Sequence, residues 1–278
     1  MKINLVGKPI VITGASSGIG LATALVCARA GMPVALMARR ADRLEMLKGR
    51  IESEGGKAIV CVGSVESPDD CTRCVNQTVS AFGSVHAVFA NAGYGLEKDA
   101  LDMTDAEIRE MFEVNFFGSL NIIRPACEVF RSVGAGHVLF CSSCLSKISV
   151  PRYGCYASTK ACQDFFGRAM RHELAREGVH VSTVHPIRTT TELFDMLAAR
   201  SGGGRLLMER PSREGLFVQS PERVARAIVR CLRKPRGEVW TSHTVRLALA
   251  LSVAAPGLTD FVLGRAMQRH IKRQGTSS

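Results

Sequence analysis

The stretch Thr13-Gly14-Ala15-Ser16-Ser17-Gly18-Ile19-Gly20 constrains the fold of this chain more than any other. It follows a short apolar run, Pro9-Ile10-Val11-Ile12, and leads into an apolar segment that reads as helix to about Ala30. A short, wholly apolar run is the signature of a strand buried on both faces, as in a parallel sheet. Glycines between such a strand and a helix let the backbone come close to a bound group. The helix start then offers free N–H groups and a partial positive charge. Gly14, Ser16, Ser17, Gly18, Ile19 and Gly20 are therefore candidates for holding a pyrophosphate. A glycine-rich turn alone is often only a turn; its place directly between strand and helix gives it weight.

Apolar runs recur along the chain. Val34 to Met37 reads as a second strand, Ala58 to Val62 as a third and Ala87 to Ala90 as a fourth, which runs into Asn91-Ala92-Gly93. His137 to Cys141 is a fifth that delivers Ser142 and Ser143, Val179 to Val184 a sixth that ends at His185-Pro186, and Glu238 to Thr241 the last. Helix starts separate them: Ser67-Pro68 with Ser at the N-cap and Pro at the first helical position, Thr104 to Glu107 as a capping box, and Ser220-Pro221. The capping box opens one long helix that carries Met111, Asn115 and Leu120. This pattern predicts an α/β fold, a Rossmann-like doubly wound parallel sheet of about seven strands with helices on both faces. Ligands of such sheets sit at the carboxyl ends of the strands, where Gly14, Arg39, Asn91, Ser143 and Pro186 all fall. No repeat and no linker is visible, so residues 1–278 are expected to form one domain. Residues 187–219 are expected as a substrate loop and residues 244–278 as a C-terminal extension.

Two constellations carry chemistry. The segment from Tyr156 to Phe166 holds no Pro or Gly and reads as helix, which puts Tyr156 and Lys160 on one face a turn apart. A free phenol has a pKa of about 10, and a neighbouring ammonium stabilises its phenolate. The pair can thus serve as an acid/base, with a Ser143 hydroxyl to hold a substrate oxygen. Taken alone, the pair could equally be an exposed Lys beside a half-buried Tyr. Tyr153 is a competing phenol without a Lys one turn on, and is expected as pocket wall with Leu145 and Arg152. The second constellation is Arg39-Arg40 at the end of the second strand, with no carboxylate until Asp42. A carboxylate there would bind ribose hydroxyls, whereas guanidinium suits a 2′-phosphate, so NADP(H) is favoured over NAD(H). The bland alternative is two surface arginines at a helix start.

The ten Cys are scattered through apparent core segments, as reduced thiols are, which points to a cytoplasmic, reducing compartment. The Cys71/Cys74 and Cys141/Cys144 pairs lack knuckle-like turns, and no metal is expected. The net charge of +11 is spread along the chain without a nucleic-acid motif, so a nucleic-acid partner is not expected either. No uniform apolar run reaches membrane-spanning length, and the first residues do not open a signal peptide.

Together these residues resemble the short-chain dehydrogenase/reductase family, in its compact rather than its extended branch. The resemblance rests on Thr13 to Gly20, Asn91-Ala92-Gly93, Asn115, Ser143 and Tyr156 to Lys160, in that order and spacing, and covers roughly residues 6–242. It implies an NAD(P)-dependent oxidoreductase that moves a hydride between nicotinamide and a ketone or secondary alcohol. It implies further that Tyr156 is the acid/base, Ser143 orients the carbonyl, Lys160 binds the nicotinamide ribose, and Asn115 holds the water of a proton relay. Pro186 and Thr191 would face the nicotinamide, and a homodimer or homotetramer would form through helices near Thr104–Arg131 and Arg152–Arg176. Three positions depart from the family's pattern: Ser64 stands where Asp is common near the adenine, Ala90 replaces the first Asn before Asn91, and Ile187 follows Pro186 in place of Gly.

Two rivals share the fold: an NAD-dependent dehydrogenase of a steroid-like or retinoid-like alcohol, and a cofactor-binding sensor without turnover. The tail past Thr244 sets an apolar patch, Leu247 to Ala255 and Phe261 to Leu263, beside Arg265, Arg269, Lys272 and Arg273. That composition suits a peripheral contact with a membrane surface, and equally a helix packed on the protein itself.

Overall fold

The computed structural model describes residues 2–190 and 218–275. Seven parallel strands form one sheet in the order β3-β2-β1-β4-β5-β6-β9. They are β1 (Ile10–Thr13), β2 (Val34–Ala38), β3 (Ala58–Val62), β4 (Ala87–Ala90), β5 (Gly136–Cys141), β6 (Val179–His185) and β9 (Glu238–Trp240). The short pair β7 (Arg188–Thr189) and β8 (Val218–Gln219) lies apart from it. Ile10 pairs with Val34 on one side and Ala87 on the other, so β1 is central and the strand order reverses beside it.

Successive side chains of a strand point to opposite faces, and the two faces carry separate cores. Ile10, Ile12, Val34 and Leu36 pack with residues of α1 (Gly18–Arg29), α2 (Ala41–Ser53) and α7 (Pro221–Arg233). Val11, Ala35, Met37 and Val88 pack with residues of α3 (Pro68–Phe82), α5 (Gly118–Val133) and, partly buried, α6 (Gly154–Glu173). Burying one such aliphatic side chain contributes about 1.5–3 kcal/mol. Coverage on both faces is why the strands read as continuous apolar runs and not as alternations. Helix starts follow local rules: Ser67 Oγ accepts from Asp70 N at 3.1 Å above α3, and Thr104 and Glu107 close a capping box on α4 (Asp105–Phe112).

The long helix expected after Thr104 is broken. A π-helical turn, Glu113–Phe117, separates α4 from α5 and places Asn115 at its centre. Beyond the sheet, α8 (His243–Ala254) and α9 (Pro256–Gly275) meet at an angle of 109°. Among the described residues no single helix is long and apolar enough to cross a membrane; this bent pair passes that test only when its two helices are taken together.

Candidate active site

A cavity of about 780 Å³ opens at the carboxyl ends of the strands. Its floor is the turn after β1. Gly14 has φ +64°, and a Cβ there would lie 2.9 Å from Ala92 Cα. A Cβ on Gly20 would lie 2.3 Å from Gly14 O. Both glycines are thus fixed by close approach of backbone, but Gly20 packs behind the turn and does not line the cavity. Thr13 laces β1 to β4: its Oγ1 accepts from Asn91 N at 2.9 Å and from Ala92 N at 3.0 Å. Asn91 answers with Nδ2 donating to Thr13 O at 2.9 Å. Helix α1 starts at Gly18 without a side-chain cap or an acidic residue in its first turn. Its free N–H groups, together with Gly14, Ser16, Ser17, Gly18 and Ile19 on the cavity wall, suit an anion.

The end of β2 closes this corner. Arg39 and Arg40 both line the cavity, and Arg40 donates to Ser16 Oγ from Nε at 3.2 Å and from Nη2 at 2.9 Å. Ser64, where Asp was the family's habit, lines the same wall beside Glu66, to whose carboxylate its hydroxyl donates at 2.9 Å. A carboxylate is therefore present two residues on. Ala90, the second departure, is buried in β4 and leaves the lacing to Asn91.

The chemistry-bearing residues converge at the other end. Ser143 stands just past β5 and Tyr156 and Lys160 on α6, and all three line the cavity with Asn91, Ala92, Gly93, Pro186 and Ile187. Ser143 Oγ accepts from Leu145 N at 3.1 Å, and its carbonyl accepts from Ser146 Oγ at 2.7 Å. The Ser143 hydroxyl is near enough to the Tyr156 phenol to favour its phenolate. Lys160 Nζ lies 5.7 Å from the centre of the Tyr156 ring, which confirms the shared helix face. The expected lowering of the phenol's pKa does not follow. Burial pushes the Tyr156 phenol up and outweighs the nearby Ser143 hydroxyl, which pulls it down. Burial likewise pulls the Lys160 ammonium down.

Asn115 is fully buried and lies behind the cavity wall. Its side chain is consumed within the fold: Oδ1 accepts from Tyr94 N at 2.9 Å, while Nδ2 donates to Tyr94 O at 2.8 Å and to Thr159 Oγ1 at 3.0 Å. Its carbonyl, freed by the π turn, accepts from Gln163 Nε2 at 2.6 Å. Gln163 was missed from sequence, although it lies one turn beyond Lys160 on the same helix.

Tyr153 and Leu145 do line the cavity, but Arg152 does not. Arg152 braces the wall from behind, with φ +68° and an ion pair to the buried Glu97 at 3.0 Å. Tyr153 donates to Glu97 Oε2 at 2.7 Å, and burial followed by that carboxylate pushes its pKa up, so it is a poor competitor of Tyr156. Ile187, in place of the expected Gly, is buried and has no positive φ; the substitution carries no backbone strain. Thr191 and the Gly-rich run from Ser201 lie outside the described residues.

Beneath Ser143 lies a buried charged network that the sequence did not suggest. Asp164 accepts from Lys147 Nζ at 2.5 Å, Lys147 also reaches Glu238 at 3.2 Å, and His185 Nε2 lies 3.4 Å from Asp164 Oδ1. His185 stacks on Trp240, and its Nδ1 sits 3.1 Å from the Ser143 carbonyl oxygen. Asp164, His185 and Glu238 have a metal-like spacing, but the Lys147 ammonium already fills the place of a cation.

Comparison with known proteins defines the class. A family model described as short chain dehydrogenase matches residues 8–201. An uncharacterized oxidoreductase of Listeria monocytogenes is 30% identical over 243 residues, which cover 86% of this chain and 95% of that protein. The 11-beta-hydroxysteroid dehydrogenase 1A of Arabidopsis thaliana is 32% identical over 266 residues, 93% of this chain and 75% of the relative. The alcohol dehydrogenase of Thermococcus sibiricus complexed with 5-hydroxy-NADP superposes with a TM-score of 0.72 at 29% identity, over 84% of this chain and 95% of that one. The chain belongs to the short-chain dehydrogenase/reductase family. It is an NAD(P)-dependent oxidoreductase of that family, with a nicotinamide cofactor.

Proposed function

We propose that this enzyme is an NADP(H)-dependent carbonyl reductase, or alcohol dehydrogenase in reverse, acting on an apolar ketone or secondary alcohol. One observation carries the reading: Ser143, Tyr156 and Lys160 line the same cavity in which Arg40 is held against Ser16. The α1 N-terminus and the Gly14 turn would take the pyrophosphate, Arg39 and Arg40 the 2′-phosphate, and Lys160 the nicotinamide ribose. The bound cofactor supplies the hydride. Ser143 orients the substrate oxygen, and Tyr156 gives it a proton as negative charge develops there. Burial keeps that proton on the phenol at neutral pH, the form a reductase needs. Leu145, Ile187, Val114 and Val245 are among the residues that line the cavity, which favours an apolar carbonyl.

Steady-state oxidation of NADPH and of NADH with a panel of apolar ketones tests this. Turnover with NADPH preferred is expected. Preference for NADH would favour the NAD-dependent alcohol dehydrogenase, and cofactor binding without any turnover the sensor.

A homo-oligomer through α4, α5 and α6 belongs to the same reading. Phe117 in the π turn and Phe166 on α6 are 44% and 47% exposed, and Phe116 packs edge-on against both rings, an apolar patch of the kind a partner covers. Light scattering at micromolar concentration should give a dimer or tetramer mass; a monomer excludes it. We also propose peripheral contact with anionic membrane, in a cytoplasmic enzyme whose described cysteines are all free thiols. No residue of α8 is buried, and Leu247, Leu251, Leu258 and Phe261 are exposed on the bent pair, with Arg246 and Arg265 exposed among them. From His243 onward the sequence holds five Lys or Arg against one acidic residue, Asp260, a balance that suits anionic lipid. The full chain should pellet with phosphatidylserine vesicles and less so with neutral ones. Failure to pellet with either overturns this part.

A further inference from the structure

The polar chain that leads inward from Lys160 stops at a side-chain amide. Lys160 Nζ donates to Cys141 O at 2.8 Å and to Gln163 Oε1 at 3.1 Å. Gln163 is fully buried, and its Nε2 donates to Asn115 O at 2.6 Å and to Ser119 Oγ at 2.7 Å. The Ser119 hydroxyl turns back to the same Asn115 carbonyl at 2.7 Å. Both hydrogens and the oxygen of the amide are thereby used, and the chain closes on itself instead of reaching solvent.

This closure has a chemical consequence. A water beside an ammonium can accept a proton on one side while it releases one on the other. A primary amide donates and accepts hydrogen bonds but passes no proton without going through its unfavourable imidic-acid form. Among the described residues, the titratable groups around Lys160 are Tyr156 on its own helix and Cys141 at the end of β5, while Asp164 is engaged with Lys147 and His185. None of these offers another inward outlet.

We propose that Gln163 is a positioning residue for Lys160: its amide fixes the ammonium against the end of β5 and seals it from the interior, so protons reach Tyr156 only from the cavity mouth. The proposal rests on the reading of Tyr156 and Lys160 as the catalytic pair.

Three variants of the full chain test it, with thermal midpoints recorded for each. Gln163→Met keeps the shape and removes the acceptor. It should weaken NADPH binding several-fold in a fluorescence titration that needs no turnover, and lower kcat with little change in carbonyl KM. Gln163→Glu sets a carboxylate beside Lys160, and the rising limb of the pH profile for alcohol oxidation should move upward by about one unit. Gln163→Ala leaves room for water and should restore part of the kcat that Gln163→Met loses. Wild-type pH profiles and NADPH affinity in all three variants, with only the thermal midpoint changed, would overturn the proposal and make Gln163 a packing residue. Wild-type-like activity in Tyr156→Phe, run alongside, would instead overturn the reading of the catalytic pair.

Discussion

Arg40 clasps Ser16: two nitrogens of one guanidinium, at 3.2 and 2.9 Å, converge on a single hydroxyl of the turn after β1. The end of β2 and the anion-binding turn are thereby one corner. A phosphate on the adenosine ribose would find there a guanidinium already held in place, at lower entropic cost than a free side chain. Replacing Arg39 and Arg40 together by Ala should weaken NADPH by about tenfold or more, since charge-assisted hydrogen bonds contribute about 1.5–3 kcal/mol each. NADH should be affected far less. Titration of each cofactor against wild type and variant checks this, and equal losses would mean that the pair does not read the 2′-phosphate.

The Tyr156 phenol predicts a pH asymmetry. Burial raises its pKa, so the protonated form that reduction requires persists through neutral pH, while the phenolate that oxidation requires is scarce there. Carbonyl reduction should be flat from about pH 6 to 9, and alcohol oxidation should climb over the same range by nearly tenfold per unit. An oxidation rate already level at pH 7 would place the phenol well below its ordinary value and contradict the burial argument.

Lys160→Ala should lose both cofactor affinity and rate. The ammonium is buried, and its removal leaves Cys141 O and Gln163 Oε1 without their donor. Buried acceptors left in this state cost about 1–3 kcal/mol each, so a lower thermal midpoint should accompany the kinetic loss. A variant with wild-type midpoint and wild-type NADPH affinity would show that these contacts contribute little.

Asp164 predicts a stability effect with a defined sign. Burial opposes its ionisation, but the hydrogen bonds from His185 and Lys147 win and hold its carboxyl well below the usual range. A folded pKa below the unfolded one contributes stability above the unfolded value and loses it as pH falls towards the folded value. Asp164→Ala should therefore cost about 3–5 kcal/mol near pH 7, the range for breaking a buried ion pair. The difference from wild type should shrink once pH falls below about 4, the unfolded carboxyl value. Denaturant melts of both proteins at pH 7 and pH 3.5 measure it; a constant difference would locate the cost elsewhere.

Much of the site was legible because it is built from local rules. The run before Gly14, the strand end at Ser143 and the spacing of Tyr156 and Lys160 each follow from a period of strand or helix. What escaped depends on contacts across the fold. The π turn at Glu113–Phe117 has no signature in its residues; Asn115 pairs with Tyr94, 21 positions away. Gln163 was in plain view, but its partners on α5 became visible only when α6 was laid against the π turn. The Lys147, Asp164, His185 and Glu238 network joins four segments spread over 91 positions. The phenol's pKa was misjudged for a different reason: helical spacing gives the distance to Lys160 but not the burial of the phenol, which raises it.

The central claim is that Tyr156 is the proton donor of a carbonyl reductase, and Tyr156→Phe tests it most directly. The variant removes one hydroxyl from a ring otherwise left in place, with Lys160 and the cofactor cavity intact. Single-turnover oxidation of NADPH in the presence of a ketone substrate should slow by about 100- to 10,000-fold, the usual worth of a positioned acid. NADPH affinity, measured by fluorescence, should stay within about threefold of wild type, since a change that small is less than one hydrogen bond's net worth. A variant that keeps most of its turnover would contradict the assignment and leave the proton donor to be sought elsewhere on the cavity wall.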